Sequence, residues 1–270
     1  MRSGDGVRRA RIVWVFVLAL GLAVAGCKPG VNQKRDMHGF MALHNAVQDG
    51  NVAEVQRLFQ EGANPNVQDL DGVTPLHRAA RIGNREMAEL LLQHHADASM
   101  LTEAGWDALQ LAAWYNHPEM VKLLMSFGAV ANRKTPEGFT TLHMAARNGS
   151  VDILETLTLN WETSKTEGKP DLNAPDKAGN PPIHIALKRG HFEFAQVLIT
   201  KSADISAKDA EGNTPLHLLA GTGQAALAGE LLNYGAKPAA RNNEGKTPYD
   251  LCVEKNDAAV AGPIYEYAQR

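Results

Sequence analysis

An all-α solenoid of stacked helix pairs is the fold class this sequence predicts, and three observations carry that reading. Apolar core positions recur at a fixed interval: Leu43, Leu76, Leu109, Leu142, Ile183, Leu216 and Tyr249 are spaced 33, 33, 33, 41, 33 and 33 residues apart. Four residues before each stands a glycine, at Gly39, Gly72, Gly105, Gly138, Gly179, Gly212 and Gly245. Between these marks, apolar residues fall at helical spacing in two successive runs parted by a turn, as in Leu76-Ala79-Ala80 and Met87-Leu90-Leu91. A short amphipathic pair cannot bury its own apolar face, so seven such units must stack.

In chain order, a leader comes first. Arg2, Arg8, Arg9 and Arg11 precede fifteen apolar or small residues from Ile12 to Gly26, the basic and apolar regions of an export signal. Fifteen residues are short for a membrane span. The run ends in Val24-Ala25-Gly26-Cys27, which resembles a bacterial lipobox. That resemblance implies a signal peptide over 1–26, removed before an acylated Cys27, and Lys28 in place of aspartate implies the periplasmic face of the outer membrane. An ordinary secretory signal, a short membrane anchor and a twin-arginine signal at Arg8-Arg9 remain the other readings. Residues 27–35 form the lipidated cysteine and its tether, whose eight residues after Cys27 reach at most about 26 Å when extended.

The repeats follow over 36–270, with boundaries at about 36–68, 69–101, 102–134, 135–175, 176–208, 209–241 and 242–270. Each opens on its turn glycine, which supplies a positive φ. Thr74-Pro75, Thr214-Pro215 and Thr247-Pro248 then start a helix, the threonine as cap and the proline at the first helical position. Met41-Ala42, Asp107-Ala108 and Pro181-Pro182 are variant starts. Gly50, Gly83, Gly149, Gly190 and Gly223 end the first helix, and a second apolar helix follows. Eight extra residues near Trp161 to Lys169 predict a protruding loop or a longer helix in repeat four. In repeat seven, Pro263 is expected to limit the second helix, and Cys252 fills a small apolar position.

Asp69-Leu70-Asp71-Gly72-Val73-Thr74-Pro75-Leu76-His77 and its near copy Asp209-Ala210-Glu211-Gly212-Asn213-Thr214-Pro215-Leu216-His217 resemble the ankyrin repeat, and the likeness extends over 36–270. It implies β-hairpin loops between the helix pairs and protein binding through hairpin tips and the concave face of the first helices. It also implies that His44, His77, His143, His184 and His217, which share one register, bridge neighbouring loops by hydrogen bonds.

Catalytic and metal chemistry is hard to find. Five of ten histidines belong to the repeat, and no paired cysteines or histidine-glutamate zinc pattern occurs. Glu244-Gly245-Lys246-Thr247 mimics the end of a phosphate-binding loop, but Ala240 stands where the first glycine is needed. No nucleophile elbow is present. We therefore expect no enzyme, no cofactor, no metal and no small-molecule substrate. From Cys27 onward the chain holds 23 basic and 29 acidic groups, a balance of -6 that disfavours nucleic acid.

A protein partner is the expectation that remains. The residue after the turn glycine is Phe40, Val73, Trp106 and Phe139 in repeats one to four, then polar. The first helices end in Arg81-Ile82, Trp114-Tyr115 and Arg147-Asn148. Phe40, Val73, Arg81, Ile82, Trp106, Trp114, Tyr115, Phe139 and Arg147 thus predict an aromatic and arginine strip of the kind that dominates interfaces. The loop around Trp161 is the second candidate surface. Resemblance to bacterial periplasmic ankyrin proteins implies an envelope-anchored binding scaffold, either an accessory factor for an enzyme such as catalase or an immunity protein against a secreted toxin. A structural spacer between membrane and cell wall is the competing reading.

Overall fold

The computed structural model describes residues 41–163 and 169–269. The leader, Cys27, the tether and Phe40 lie outside the described residues. Among the described residues fourteen helices form seven consecutive pairs: α1 Ala42–Gln48 and α2 Val52–Gln60, α3 Pro75–Ile82 and α4 Arg85–Gln93, α5 Ala108–Trp114 and α6 Pro118–Ser126, α7 Thr141–Asn148 and α8 Val151–Thr163, α9 Pro182–Lys188 and α10 Phe192–Thr200, α11 Pro215–Leu218 and α12 Ala225–Asn233, α13 Pro248–Glu254 and α14 Ala258–Ala268. The first helices pack on one another in one row from α1 to α13, and the second helices from α4 to α14 make the other.

Local chemistry explains each boundary. Thr74 accepts from the His77 amide and Thr247 from the Asp250 amide, and Asp107 accepts from the Gln110 amide in repeat three. Each acceptor satisfies an amide that the first turn of a helix leaves free. Gly83 and Gly149 close α3 and α7 in the left-handed conformation. Repeat three has no glycine there, and Asn116 takes the same conformation at φ 60°. The core runs between the two rows, with Leu76, Leu109, Leu142, Ile183 and Leu216 in register and Phe194 among the largest fully buried side chains.

The loops are hairpin-shaped fingers. Each is closed by a backbone bond such as Asp69 N–H to Val73 O at 3.0 Å, and among the described residues none extends into a strand. Adjacent fingers join through Glu103 N–H to Asp71 O, Lys177 N–H to Glu137 O and Asn243 N–H to Glu211 O, each 2.9 Å. The turn glycine serves this contact as well as its φ, since a Cβ on Gly138 would lie 2.8 Å from the Lys177 nitrogen. Pro136 has no amide to offer, so its ring packs on Gly105 instead. Between the fifth and sixth fingers neither contact is made: no backbone bond links them, and a Cβ on Gly179 would meet nothing within 4 Å.

Two expectations resolve here. The extra residues of repeat four lengthen α8 to 13 residues, against 9 in α10, and 164–168 lie outside the described residues. Pro263 does not limit the last helix but sits inside α14. Gly262 before it has no Cβ to clash with the proline ring, and the carbonyl four residues back belongs to exposed Ala259, which water can serve.

The repeat histidines are joints. His77 Nδ1 accepts from the Thr74 amide at 3.1 Å while Nε2 donates to Met100 O, also at 3.1 Å, tying the helix start to the next finger. His44, His143, His184 and His217 reach Val73 O, Asn180 O, Asn213 O and Lys246 O in the same manner. Gln110 replaces the histidine in repeat three, accepting from Asp107 N–H at 3.1 Å and donating to Arg133 O at 2.8 Å. His184 lacks half of the joint: Pro181 precedes its helix without N–H or hydroxyl, and His184 Nδ1 is buried without a partner.

Candidate functional site

Positions two, five and six after the core residue share one face of a first helix, because they are three and four residues apart. In repeats four and five these positions carry Met144, Arg147, Asn148 and Ile185, Lys188, Arg189. With Trp114 from α5, Phe139 and His143 from repeat four, and Asp176 and Asn180 from the fifth finger, all of them but Asn148 line a groove of about 600 Å³ along the first-helix row.

Its aromatic wall is built pairwise. Trp106 and Trp114 meet edge to face with centroids 5.1 Å apart, and the Arg147 guanidinium lies 3.7 Å over the Trp114 ring. Phe139 leans on His143 at 5.8 Å. Trp106, Trp114, Phe139 and Arg147 are all half-buried, so each is braced by packing yet reachable. The helix ends are pinned from the next repeat: Asn148 Nδ2 donates to Ala113 O and Trp114 O at 2.9 and 3.0 Å, and His191 Nε2 to Arg147 O at 3.0 Å. Pre-positioned anchors lose little entropy on binding, which favours affinity.

The charges are unevenly matched. Lys188 Nζ reaches Asp209 at 2.9 Å, Glu211 at 3.2 Å and Asn180 Oδ1 at 3.1 Å. Burial works against its proton, but the two carboxylates outweigh that and raise its pKa. Asp176 spends its carboxylate on the finger, accepting from Ala178 N–H, Asn180 N–H and the Asn180 amide. Arg147 and Arg189 have no ion-pair partner among the described residues. Burial, and secondarily the charge of Arg189, lower the pKa of Arg147.

The predicted strip is thus brought together only in part. Trp106, Trp114, Phe139 and Arg147 converge. Ile82 and Tyr115 are exposed but do not line the groove, and Arg81 is exposed with a hydrogen bond to Gln48. Val73 is half-buried, and its carbonyl receives His44. Phe40 and Cys27 lie outside the described residues, as do the side chain of Trp161 and the loop after it. Ile185, Lys188 and Arg189 escaped the sequence reading, although they hold the register that singled out Arg147-Asn148; the switch to Asn180 after the turn glycine suggested that the strip had ended.

Among the described residues no group of three or more histidine, cysteine, aspartate or glutamate side chains could hold a metal ion. Cys252 is fully buried and its thiol is pushed up to about 11 by burial, which suits packing and not reactivity. No helix among the described residues is long and apolar enough to cross a membrane.

Comparison with known proteins bears on the whole chain. The family described as "Ankyrin repeats (3 copies)" matches residues 17–102, 43–135, 95–167, 127–209, 166–242 and 183–266. The ankyrin repeat domain of Bcl-3, described as a unique member of the IkappaB protein family, is similar at 25% identity with a TM-score of 0.69, covering 86% of this chain and 99% of that one. The human ASB11 ankyrin repeat domain shares the fold at 24% identity and a TM-score of 0.67, covering 83% of this chain and 96% of that one. No curated protein matches the sequence.

Proposed function

Since the chain belongs to the ankyrin-repeat family, whose repeats serve protein–protein interaction, we propose that it is a binding scaffold of the bacterial envelope. It is tethered by an acylated Cys27 on the periplasmic side and captures a protein in the groove of repeats three to five. Fold alone does not fix function, so the reading rests on the site. The observation that carries it is the Trp114–Arg147 stack, held by Asn148 and His191 and left half open to solvent. Aromatic and arginine anchors at pre-formed grooves dominate interface energies. The envelope placement is supported by the basic start, the apolar run to Gly26 and the cysteine after it.

Crosslinking in intact cells followed by mass spectrometry, comparing the wild type with Cys27→Ala and with Trp106→Ala/Trp114→Ala/Phe139→Ala, tests both halves. The Cys27 change should move the chain out of the membrane fraction and abolish fatty-acid labelling. The triple change should abolish capture of the partner while the helical content of the chain persists. Undiminished capture would place the binding surface elsewhere.

A further inference from the structure

The groove's unmatched charge identifies the chemistry of what fills it, an inference that rests on the reading of the groove as a protein-binding site. Arg147 and Arg189 face it from successive repeats with no ion-pair partner among the described residues. The third cation, Lys188, is already matched by Asp209 and Glu211. The Arg147 guanidinium lies over the Trp114 ring, and its N–H edges make no hydrogen bond among the described residues. Those edges are the donors that match a carboxylate. Beside them stand half-buried Phe139 and Ile185, which offer apolar contact, with Met144 buried beneath. Asp176 lines the same space and Asp209 and Glu211 lie against its Lys188, so a chain of phosphates would meet repulsion there, whereas one or two carboxylates placed between the arginines would not.

We infer that the groove takes an acidic and apolar segment of a partner protein, with an aspartate or glutamate between Arg147 and Arg189 and a large apolar side chain against Trp114, Phe139 and Ile185. The segment lies along the first-helix row, its carboxylate at the helix ends and its apolar residue toward Phe139 of the fourth finger.

Selection of displayed random dodecapeptides on the full chain in mild detergent tests this. Enriched peptides should pair an acidic residue with a large apolar neighbour, and their affinity should fall at least tenfold for Arg147→Glu/Arg189→Glu. Changing the peptide's acidic residues to lysine should restore binding to that double variant, an outcome that misfolding cannot imitate. Peptides without acidic residues, or equal binding to the double variant, overturn the inference. If such peptides still lose binding on Trp114→Ala, the groove stands as a protein site and only its charge preference falls. Sedimentation velocity covers the remaining occupant: a dimer of the chain dispersed by the double substitution puts a second copy in the groove and overturns the inference.

Discussion

Replacing His77 by glutamine should remove part of the acid sensitivity of the stack while keeping its hydrogen bonds. Burial lowers the pKa of His77 from 6.5 to about 4, working against hydrogen bonds to Met100 and Trp106 and the nearby Asp69, which favour the proton. A proton on Nδ1 would confront the Thr74 amide, which already donates to that nitrogen at 3.1 Å. The folded state therefore binds the proton less readily than the unfolded chain. The stability His77 contributes is complete above pH 6.5 and is lost as the pH falls toward 4. From those two values the loss on moving from neutral pH to pH 5 is about 2 kcal/mol. Asp107 works in the opposite sense: burial raises it to about 6, so its effect favours the folded state at low pH, in wild type and variant alike. The comparison between proteins isolates His77. Gln110 shows that glutamine fills the position, with Oε1 accepting from Asp107 N–H and Nε2 donating to Arg133 O. Urea unfolding followed by far-UV circular dichroism at pH 7.5 and 5.0 should show His77→Gln losing about 2 kcal/mol less than wild type between the two conditions. Equal losses would refute the claim that His77 is held neutral by the fold.

Pro181→Thr should stabilise the protein by about 0.5–1 kcal/mol, because a threonine amide and hydroxyl would supply the partner His184 Nδ1 lacks, as Thr74 does for His77. A higher melting temperature, together with slower amide exchange in α9, checks it. Gly138→Ala should destabilise by about 1–3 kcal/mol, since φ is 84° and the new Cβ would press on the Lys177 nitrogen that bonds to Glu137 O. Gly179→Ala is the control: it shares the positive φ of 82° but has open space, so thermal unfolding should show the smaller loss.

Much of this architecture was readable because one register repeats. A glycine four residues before each core residue announces a positive φ, and the structure gives Gly72, Gly105, Gly138, Gly179, Gly212 and Gly245 that conformation. Trp114 and Arg147 occupy the same position in consecutive repeats, so their meeting follows from the stacking itself. Departures came where a local rule met a particular neighbour. Proline ordinarily interrupts a helix, yet Gly262 and a solvent-facing carbonyl let Pro263 stay inside α14. Lys188-Arg189 was passed over because the finger residue Asn180 was polar, although finger and helix end contribute to the groove independently. The pairing of Lys188 with Asp209 and Glu211 joins residues 21 and 23 positions apart, and nothing in the repeat pattern marks it.

That pairing links two parts of the molecule. Repeats five and six lack both the backbone bond between fingers found at three other junctions and the proline contact that replaces it at Gly105, and much of their polar adhesion falls to His184 and to the ammonium of Lys188 on its two carboxylates. The same ammonium stands in the wall of the groove. A bound carboxylate that drew it away would loosen the seam between repeats five and six, and by thermodynamic reciprocity a loosened seam would strengthen the hold on that carboxylate. Were the ammonium so drawn, occupancy of the groove and cohesion of the array would share one positive charge, and added salt would weaken both together.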